Sequence, residues 1–414
     1  MTLDCFKETE IGPIPVEWEV VRLDKLCRLG RESVDPQESP EMPYVGLQHI
    51  DSGEPQLRKW GSGSEVKSSK KHFFPGDVLY GKLRPYLDKA VLAEIEGICS
   101  TDILVLKANL ERTTRGFLVY SLHTRRFLSY AISTTSGTNL PRTRWISLSD
   151  FKLALPPLPE QRRIAHVLRT IQRAIAAQED LIAAARETKR SLMQRLFTYG
   201  PGPEPAPTKE TEIGEIPEHW EVVRLEQVLR TAQYGLSVRA DRTGTYPMLR
   251  MNNLVDGRVD TSDLKFVELD EDDFAKFRVR KRDVLFNRTN SYELVGKTAI
   301  FDLKGDFVFA SYLIRVVPDT TQLSPEYLNY YLNWDDAQRR LRMLATRGVS
   351  QSNISATKLK RFKIGLPSLA EQQEVAQSLS AVDRKISAEE QRKAALQALF
   401  KTMLHQLMTG QIRV

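Results

Sequence analysis

Two stretches of the chain carry arginine and lysine without any acidic residue, and they are where the sequence could bind a polyanion. The first runs from Arg112 to Ser149 and the second from Ala337 to Ala370. Asparagine, glutamine and serine are interleaved with the cations. Clustered cations neutralise phosphates, and arginine, asparagine and glutamine can bond to base edges. One such stretch is usually a solvated basic surface, but two at matching places in the chain favour a nucleic-acid interface.

Loops next to predicted strands add further cations. Residues 81–86 (GKLRPY) follow a short apolar run, and residues 276–288 (KFRVRKRDVLFNR) form another basic segment. Loops after strands often carry recognition side chains, although these segments could equally be surface strands without a partner. The candidate DNA-binding residues are Lys82, Arg84, Tyr86, Arg125, Arg126, Asn139, Arg142, Arg144, Arg288, Asn290, Arg347, Gln351, Ser352, Asn353 and Lys358.

The elements that position these residues are repeated. Residues 7–23 match residues 209–225 at 14 of 17 positions, and LPPLPEQ at 155–161 recurs as LPSLAEQ at 366–372, an offset of 211. The segments between these anchors diverge. The pattern predicts one scaffold used twice with two different working surfaces.

After each LPxLxEQ segment, apolar residues recur with a 3.5-residue period, which is typical of a coiled-coil seam. The predicted seam, which also serves partner docking, consists of Ile164, Leu168, Ile171, Ile175, Ile182, Leu192 and Leu196, followed by Val375, Leu379, Val382, Ile386, Leu396, Phe400, Met403 and Leu407. Pro159 suits a first helical turn, Ser368 and Glu371 have capping-box spacing, and Gly200 and Gly410 can end the helices.

A helix that packs on its own domain is the commoner reason for such a stripe. Two matched stripes of about 40 residues, or about 60 Å each, are too long for that. Because domain termini usually lie close together, the second helix should start beside the end of the first. We therefore expect an antiparallel pair with a globular part at each end and approximate two-fold symmetry.

The predicted fold class is α+β, with two mixed, strand-rich globular domains joined by two long antiparallel helices. Shorter helices are expected at 116–131 and 325–345. The predicted boundaries are 1–152 for the first globular domain, 153–199 for the central helix, 200–208 for a Pro/Gly linker, 209–363 for the second globular domain and 364–414 for the C-terminal helix.

Motifs for catalysis, metal binding or cofactor binding are not found in the sequence. It contains neither HExxH nor GxSxG, and residues 291–298 resemble a phosphate-binding loop but begin with Ser291 instead of glycine. Cys5, Cys27 and Cys99 form no CxxC pair and are expected to be reduced thiols. Without a signal-peptide pattern or a long apolar run, the expected location is the cytoplasm. The net charge of +7 permits a polyanionic partner.

The repeated segments resemble the specificity (S) subunit of type I restriction–modification enzymes over essentially the whole chain. The resemblance rests on IGPIP at 11–15 with Trp18, on IGEIP at 213–217 with Trp220, and on the two helix starts. Pro159, Glu160 and Gln161 match the family's helix start, whereas Ala370 replaces the second proline.

The resemblance implies that two target-recognition domains each read one half of a bipartite, asymmetric DNA target, while the helices set the spacer. It also implies a non-catalytic subunit without a cofactor of its own. Its expected partners are double-stranded DNA, two modification subunits that use S-adenosylmethionine to methylate adenine, and restriction subunits that can join them; no membrane is involved.

Two alternatives remain open at this point. One is a non-catalytic coiled-coil scaffold whose basic surfaces do not bind DNA in a sequence-specific way. Steeply salt-dependent DNA binding by the assembled complex would argue against it. The other is an enzyme such as a nuclease with an unrecognised site, which DNA cleavage by the purified chain would reveal.

Overall fold

The computed structural model describes residues 6–348 and 351–414. By their internal contacts the residues fall into two compact units. Unit 1 comprises residues 1–179 together with 391–414, and unit 2 comprises residues 180–390. The expected mixture of helices and short strands is confirmed. The predicted domain boundaries stay a prediction.

Unit 1 is built from two sheets, three short helices and parts of both long helices. Its strands are Phe6–Lys7 (β1), Ile14–Pro15 (β2), Glu19–Arg22 (β3), Cys27–Leu29 (β4), Ser33–Val34 (β5), Pro43–Val45 (β6), Gly61–Ser62 (β7), Lys70–Phe73 (β8), Val78–Gly81 (β9), Ala90–Leu92 (β10), Gly97–Cys99 (β11), Ile103–Ala108 (β12) and Lys152–Leu155 (β13). Its helices are Arg115–Leu122 (α1), Arg125–Ser133 (α2), Trp145–Leu148 (α3) and the first part of Leu158–Tyr199 (α4). The sheets have the orders β10-β9-β12-β4 and β5-β8-β11-β6-β7, with pairs β1–β2 and β3–β13 beside them.

Unit 2 repeats this plan with different strands. They are Thr208–Thr211 (β14), Gly214–Pro217 (β15), Glu221–Arg224 (β16), Leu229–Tyr234 (β17), Tyr246–Leu249 (β18), Leu254–Val255 (β19), Gly257–Val259 (β20), Lys265–Val267 (β21), Val284–Asn287 (β22), Thr289–Asn290 (β23), Thr298–Ile300 (β24), Val308–Phe309 (β25), Leu313–Pro318 (β26), Thr346–Arg347 (β27), Ser352–Asn353 (β28) and Lys363–Leu366 (β29). The helices are Leu225–Val228 (α5), Glu271–Phe277 (α6), Pro325–Asn333 (α7), Asp335–Leu344 (α8), Ala356–Lys360 (α9) and Leu369–Met408 (α10), of which the part up to residue 390 belongs here. The sheet orders are β17-β26-β22-β24-β20-β19, β21-β18-β25 and β23-β28-β27, and β14–β15 and β16–β29 form pairs.

The shorter helices differ from the expectation, because each expected helix is two. In unit 1 the break lies at Thr124, whose backbone is extended and whose hydroxyl accepts the N–H of Phe127 at 3.3 Å. This cap starts α2 in a new direction. In unit 2 the extended backbone of Trp334 separates α7 from α8 in the same way.

The repeated LPxLxEQ segments begin the long helices through matching contacts in the two units. Gln161 accepts the N–H of Thr114 at 2.9 Å and donates to the carbonyls of Arg112 and Pro156. Gln372 accepts the N–H of Ser324 at 2.7 Å and donates to the carbonyls of Gln322 and Pro367. Each glutamine thereby ties a long helix to the start of a short one.

The glutamate and tryptophan of the repeated segments also meet. The indole N–H of Trp18 donates to Glu160 at 3.0 Å, and that of Trp220 donates to Glu371 at 3.2 Å. Both tryptophans are fully buried. The tryptophan and glutamate that both copies share therefore form the same contact in each unit. This contact joins the globular part to the long helix.

The predicted capping residues lie at the ends of the long helices. Ser368 and Glu371 form a capping box, in which the Ser368 hydroxyl accepts the N–H of Glu371 and the carboxylate accepts the N–H of Ser368, both at 3.3 Å. Gly200 and Gly410 follow α4 and α10 with φ of 80° and 72°. Glycine adopts this left-handed backbone without steric cost, which is why it ends helices so often.

Within each unit the two long-helix segments run in opposite directions. In unit 1, Glu160 binds Arg413 at 2.8 Å and Glu179 binds Lys393 at 2.9 Å. In unit 2, Arg186 binds Glu390 at 2.8 Å and Lys189 binds Asp383 at 2.7 Å. The partner number falls as the α4 number rises, so the segments are antiparallel.

All predicted seam residues are buried or half-buried. Ile164, Leu168, Ile175, Phe400 and Leu407 belong to the core of unit 1, while Leu196, Val375 and Leu379 belong to that of unit 2. Because these side chains pack inside the units, docking of another protein would use the outer faces of the helices. The coiled coil itself stays a prediction. Among the described residues, no helix is both long and apolar enough to span a bilayer.

The buried cysteines lead to a testable expectation. Burial raises the pKa of Cys27 and of Cys99 to about 12, with Asp24 adding to the effect at Cys27. Both thiols are therefore protonated and unreactive at neutral pH. We expect a thiol reagent to modify Cys27 and Cys99 only after unfolding, as mass spectrometry of labelled peptides would show. Equal labelling rates in native and denatured protein would contradict this.

The same shift links stability to pH. Because the folded-state pKa lies above that of the unfolded chain, the two thiols contribute stability that is present at neutral pH. That contribution decreases as the pH rises from the thiol's ordinary range toward 12. Cys5 lies outside the described residues.

Candidate nucleic-acid interface

A short three-stranded sheet in unit 2 collects most of the predicted residues of that unit. β23 pairs with β28 and β28 pairs with β27, both antiparallel, so that Asn290 and Arg347 flank Ser352. Thr289 and Asn353, which are 64 positions apart, become direct neighbours. The sheet thus joins the residues that follow the basic segment 276–288 to the acid-free stretch before α10.

Arg288 and Asn353 hold this sheet in place. The Arg288 guanidinium donates to Oδ1 of Asn353 at 3.1 Å and lies 4.7 Å from the ring centroid of Tyr234. Asn353 donates to the hydroxyl of Thr289 at 2.8 Å. Since both side chains are engaged within the protein, they position their neighbours.

Both residues of β27, Thr346 and Arg347, are exposed, and so is Gln351, which directly precedes β28. The Arg347 guanidinium lies 4.1 Å from the ring centroid of Tyr292, a cation–π contact that limits its motion and leaves its N–H groups available. Asn290 is half-buried. Ser352 is 4% exposed and so does not offer its hydroxyl to a ligand.

Lys358 is engaged in hydrogen bonds next to the short sheet. Its ammonium donates at 2.8 Å to the carbonyl of Leu344 and to the hydroxyl of Thr346. It therefore satisfies the C-terminal end of α8 and fixes the start of β27. Its charge still adds to the positive potential of the sheet.

Unit 1 has a similar arrangement near the matching positions, made of isolated bridges instead of strands. Leu83 bridges Arg142, and Arg142 bridges Ser136, both antiparallel. The N–H of Thr143 donates to the carbonyl of Lys82 at 3.0 Å, and that of Arg84 to the carbonyl of Pro141 at 2.8 Å. Adding 211 to 136 and 142 gives 347 and 353, the offset that relates the two helix starts.

Arg84 and Tyr86 lie on the loop after β9, as predicted. Arg84 has a left-handed backbone with φ 52°, which is unfavourable for a residue with a Cβ. Its side chain is exposed and makes no hydrogen bond or ion pair with any described residue, and Tyr86 is 52% exposed. Strained backbone is often kept where a side chain must be presented.

Arg142 and Lys82 lie at the base of this loop. Arg142 binds Asp102 at 2.9 Å, and this hydrogen bond and its charge raise the pKa of Arg142. Lys82 is half-buried, and its backbone N–H donates to the carbonyl of Asp102. Arg142 therefore acts mainly as a link between its own segment and the turn before β12.

The remaining predicted residues of unit 1 differ in whether their side chains have partners within the protein. Asn139, Arg125 and Arg144 are exposed, and the described part of the chain offers their side chains no hydrogen-bond or ionic partner. Arg126 donates to the carbonyl of Lys152 at 2.7 Å and lies 5.2 Å from the Phe151 ring centroid; partial burial lowers its pKa. Arg126 thus supports the fold.

The sequence did not single out three residues of these surfaces. Leu140 is 47% exposed beside Asn139, and Tyr234 and Tyr292 hold arginines. Leu140 could have been found from the sequence, because the 211-residue offset between the two copies aligns it with the predicted residue Gln351. Within the described ranges, no group of three or more His, Cys, Asp or Glu residues is arranged to hold a metal ion.

The chain resembles known proteins over nearly its whole length. The sequence model of the type I restriction modification DNA specificity domain matches the chain twice, at residues 15–186 and 217–398. The MjaVIII specificity subunit of a type I restriction enzyme from Methanocaldococcus jannaschii is 26% identical over 428 residues, which cover 99% of this chain and 96% of that protein.

One further relative and one solved structure are also similar to this chain. A protein provisionally named as the MjaX specificity subunit of the same organism is 37% identical over 205 residues, so that the match spans about half of each protein, 49% of this chain and 48% of the relative. A chain from a structural study of complex assembly and conformational transition of the type I R-M system shares the fold with a TM-score of 0.58 and 23% identity, over 96% of this chain and 99% of that one. The chain therefore belongs to the family of type I restriction modification DNA specificity domains and contains two copies of that domain.

Proposed function

We propose that this chain is the specificity subunit of a type I restriction–modification complex, and that each unit reads one half of a bipartite, asymmetric DNA target. Residues 1–152 and 209–363 would be the two target-recognition domains. The observation that carries the proposal is that the bridges of unit 1 and the short sheet of unit 2 lie at nearly the same place in the repeat and have unlike exposed residues. A shared scaffold with Arg84 and Asn139 in one copy and Arg347 and Gln351 in the other suits two unlike half-sites.

The proposed roles of the predicted residues follow from their contacts. Exposed side chains that make no hydrogen bond or ion pair with the described residues would contact bases or phosphates: these are Arg84, Tyr86, Arg125, Asn139, Arg144, Arg347 and Gln351. Engaged side chains, such as Arg142 and Arg288, would position them. Lys82 and Asn290 are half-buried and would contribute from the edge.

The proposed assembly is that implied by the family resemblance. The outer faces of α4 and α10 would dock two modification subunits, which would bind S-adenosylmethionine and methylate adenine, and restriction subunits could join. The chain itself would carry no catalytic residue and no cofactor. The cytoplasm, where chromosomal DNA lies, would be its location.

The long helices are proposed to set the spacer between the half-sites. Adding seven residues to both α4 and α10 keeps the heptad pattern and adds about 10 Å. We expect the spacer of the methylated target to lengthen by about three base pairs, at about 3.4 Å per base pair. Methylome sequencing of a host that carries the variant and its modification subunit measures this.

The control lengthens only α4 by the same seven residues, which shifts its apolar residues against α10. This variant should lose methylation instead of changing the spacer. A methylated target with an unchanged spacer after the paired insertion would contradict the proposed role of the helices.

A further inference from the structure

Unit 1 contains a cleft that the proposed DNA contacts do not use. It has a volume of about 610 Å³ and is lined by residues from the loops near 55 and 75, from β10, from the start of α1 and from α4. The charged residues and the histidine that line it are Arg115, Arg162, Arg169, one acid, Glu94, and His166; apolar side chains that include Leu92 and Val119 also line it. The volume lies in the range of small-molecule sites.

Gln172 lines this cleft and has an unfulfilled hydrogen bond. Its side chain is 1% exposed, and its Oε1 accepts the hydroxyl of Tyr120 at 2.7 Å. Its Nε2 is buried without a partner among the described residues. A buried amide donor without a partner costs about 1–3 kcal/mol, so an acceptor supplied by a ligand would be stabilising.

The arginines of the cleft are placed for an anion. The guanidinium of Arg115 packs directly on Gly76, where an added Cβ would lie 2.3 Å from Cζ. Arg162 is exposed and makes no ion pair within the described ranges, whereas Arg169 binds Glu94 at 3.0 Å. The first N–H groups of α1 add the positive end of a helix dipole.

The matching place in unit 2 lacks this chemistry. There the offset of 211 along the long helix replaces Arg162, His166 and Arg169 with Gln373, Gln377 and Ser380, and Pro325 begins the short helix in place of Arg115. Gln172 is replaced by Asp383, which binds Tyr330 at 2.8 Å and Lys189 at 2.7 Å. Because only one copy of the repeat carries the cations and the open donor, the scaffold does not require them.

We propose that the cleft binds a free phosphorylated small molecule of mononucleotide size. The phosphate would contact Arg115, Arg162 and the N-terminus of α1, since guanidinium groups bind phosphate oxygens in pairs. The apolar wall would cover the uncharged part of the ligand. Nε2 of Gln172 would donate to an acceptor atom of that part.

The test is calorimetric titration of the full chain with AMP, ATP, adenosine and inorganic phosphate. We expect saturable binding of AMP or ATP, and binding of adenosine at least 10-fold weaker. Arg162→Gln should weaken nucleotide binding at least 10-fold, whereas Arg173→Gln, an exposed arginine of the same helix outside the cleft, should change it less than twofold.

A second variant tests the amide. Gln172→Glu keeps the shape of the side chain but replaces the donor with a carboxylate, and we expect it to abolish nucleotide binding while an unchanged melting temperature of this same variant shows that the fold is intact. Absence of saturation up to about 1 mM for both nucleotides overturns the proposal. So does an Arg162 dependence seen only with duplex DNA, which would assign the phosphate to the DNA backbone.

Discussion

Replacing Gln372 by leucine is expected to lower the free energy of unfolding of unit 2 by about 3 kcal/mol or more. The glutamine is fully buried, and its side chain satisfies the N–H of Ser324 and the carbonyls of Gln322 and Pro367. Leucine has a similar volume but leaves three polar groups unpaired, each at a cost of about 1–3 kcal/mol. Hydrogen exchange at the Ser324 amide and denaturant unfolding measure the effect.

The neighbouring residue provides the matched control. Gln373 is exposed and makes no side-chain hydrogen bond with the described residues, so Gln373→Leu should change the free energy of unfolding by less than about 0.5 kcal/mol. Gln161→Leu should produce the equivalent loss in unit 1, with faster exchange at the Thr114 amide. If the Gln372 and Gln373 variants unfold alike, the repeated glutamine does not form the joint described above.

Replacing Arg347 by alanine is expected to weaken binding of the correct target by about 1–3 kcal/mol, or about 5- to 150-fold. Arg347 is exposed on β27 and held over the ring of Tyr292. Its removal leaves the strand pairing intact, because β27 pairs through backbone groups. The measurement is fluorescence anisotropy with the assembled complex on targets altered in one half-site at a time.

Arg339 supplies the control for charge. It is exposed on α8 of the same unit and pairs with Asp336, so Arg339→Ala removes one positive charge away from the short sheet. We expect this variant to bind with nearly unchanged discrimination between targets. Equal loss of affinity for every DNA sequence in the Arg347 variant would mean that this arginine contacts phosphates alone.

The sequence was sufficient to predict features that depend on residues close together in the chain. The two long helices follow from a local apolar period, and their ends follow from Ser368, Glu371, Gly200 and Gly410, each of which acts within one turn. The joint between Trp18 and Glu160 was visible only as a repeated pattern, since the contact joins residues 142 positions apart.

The candidate surfaces could be predicted only in part, because they too depend on contacts between residues that are distant in sequence. Their cations are visible as acid-free stretches, but the short strands pair segments far apart in sequence. Nothing local distinguishes Arg347, whose guanidinium N–H groups make no hydrogen bond with the described residues, from Arg126, which donates to the carbonyl of Lys152. Ser352 and Gln351 are adjacent and polar, yet strand pairing buries the first and exposes the second. Such distinctions require tertiary contacts.

The most direct measurement of two independent half-site readers is methylome sequencing after an exchange of residues 1–152. The host would carry this chain with the corresponding segment of another specificity subunit and the same modification subunit. The account predicts that one half of the methylated target changes while the other half and the spacer stay the same. Altered recognition in both halves, or in neither, would contradict it.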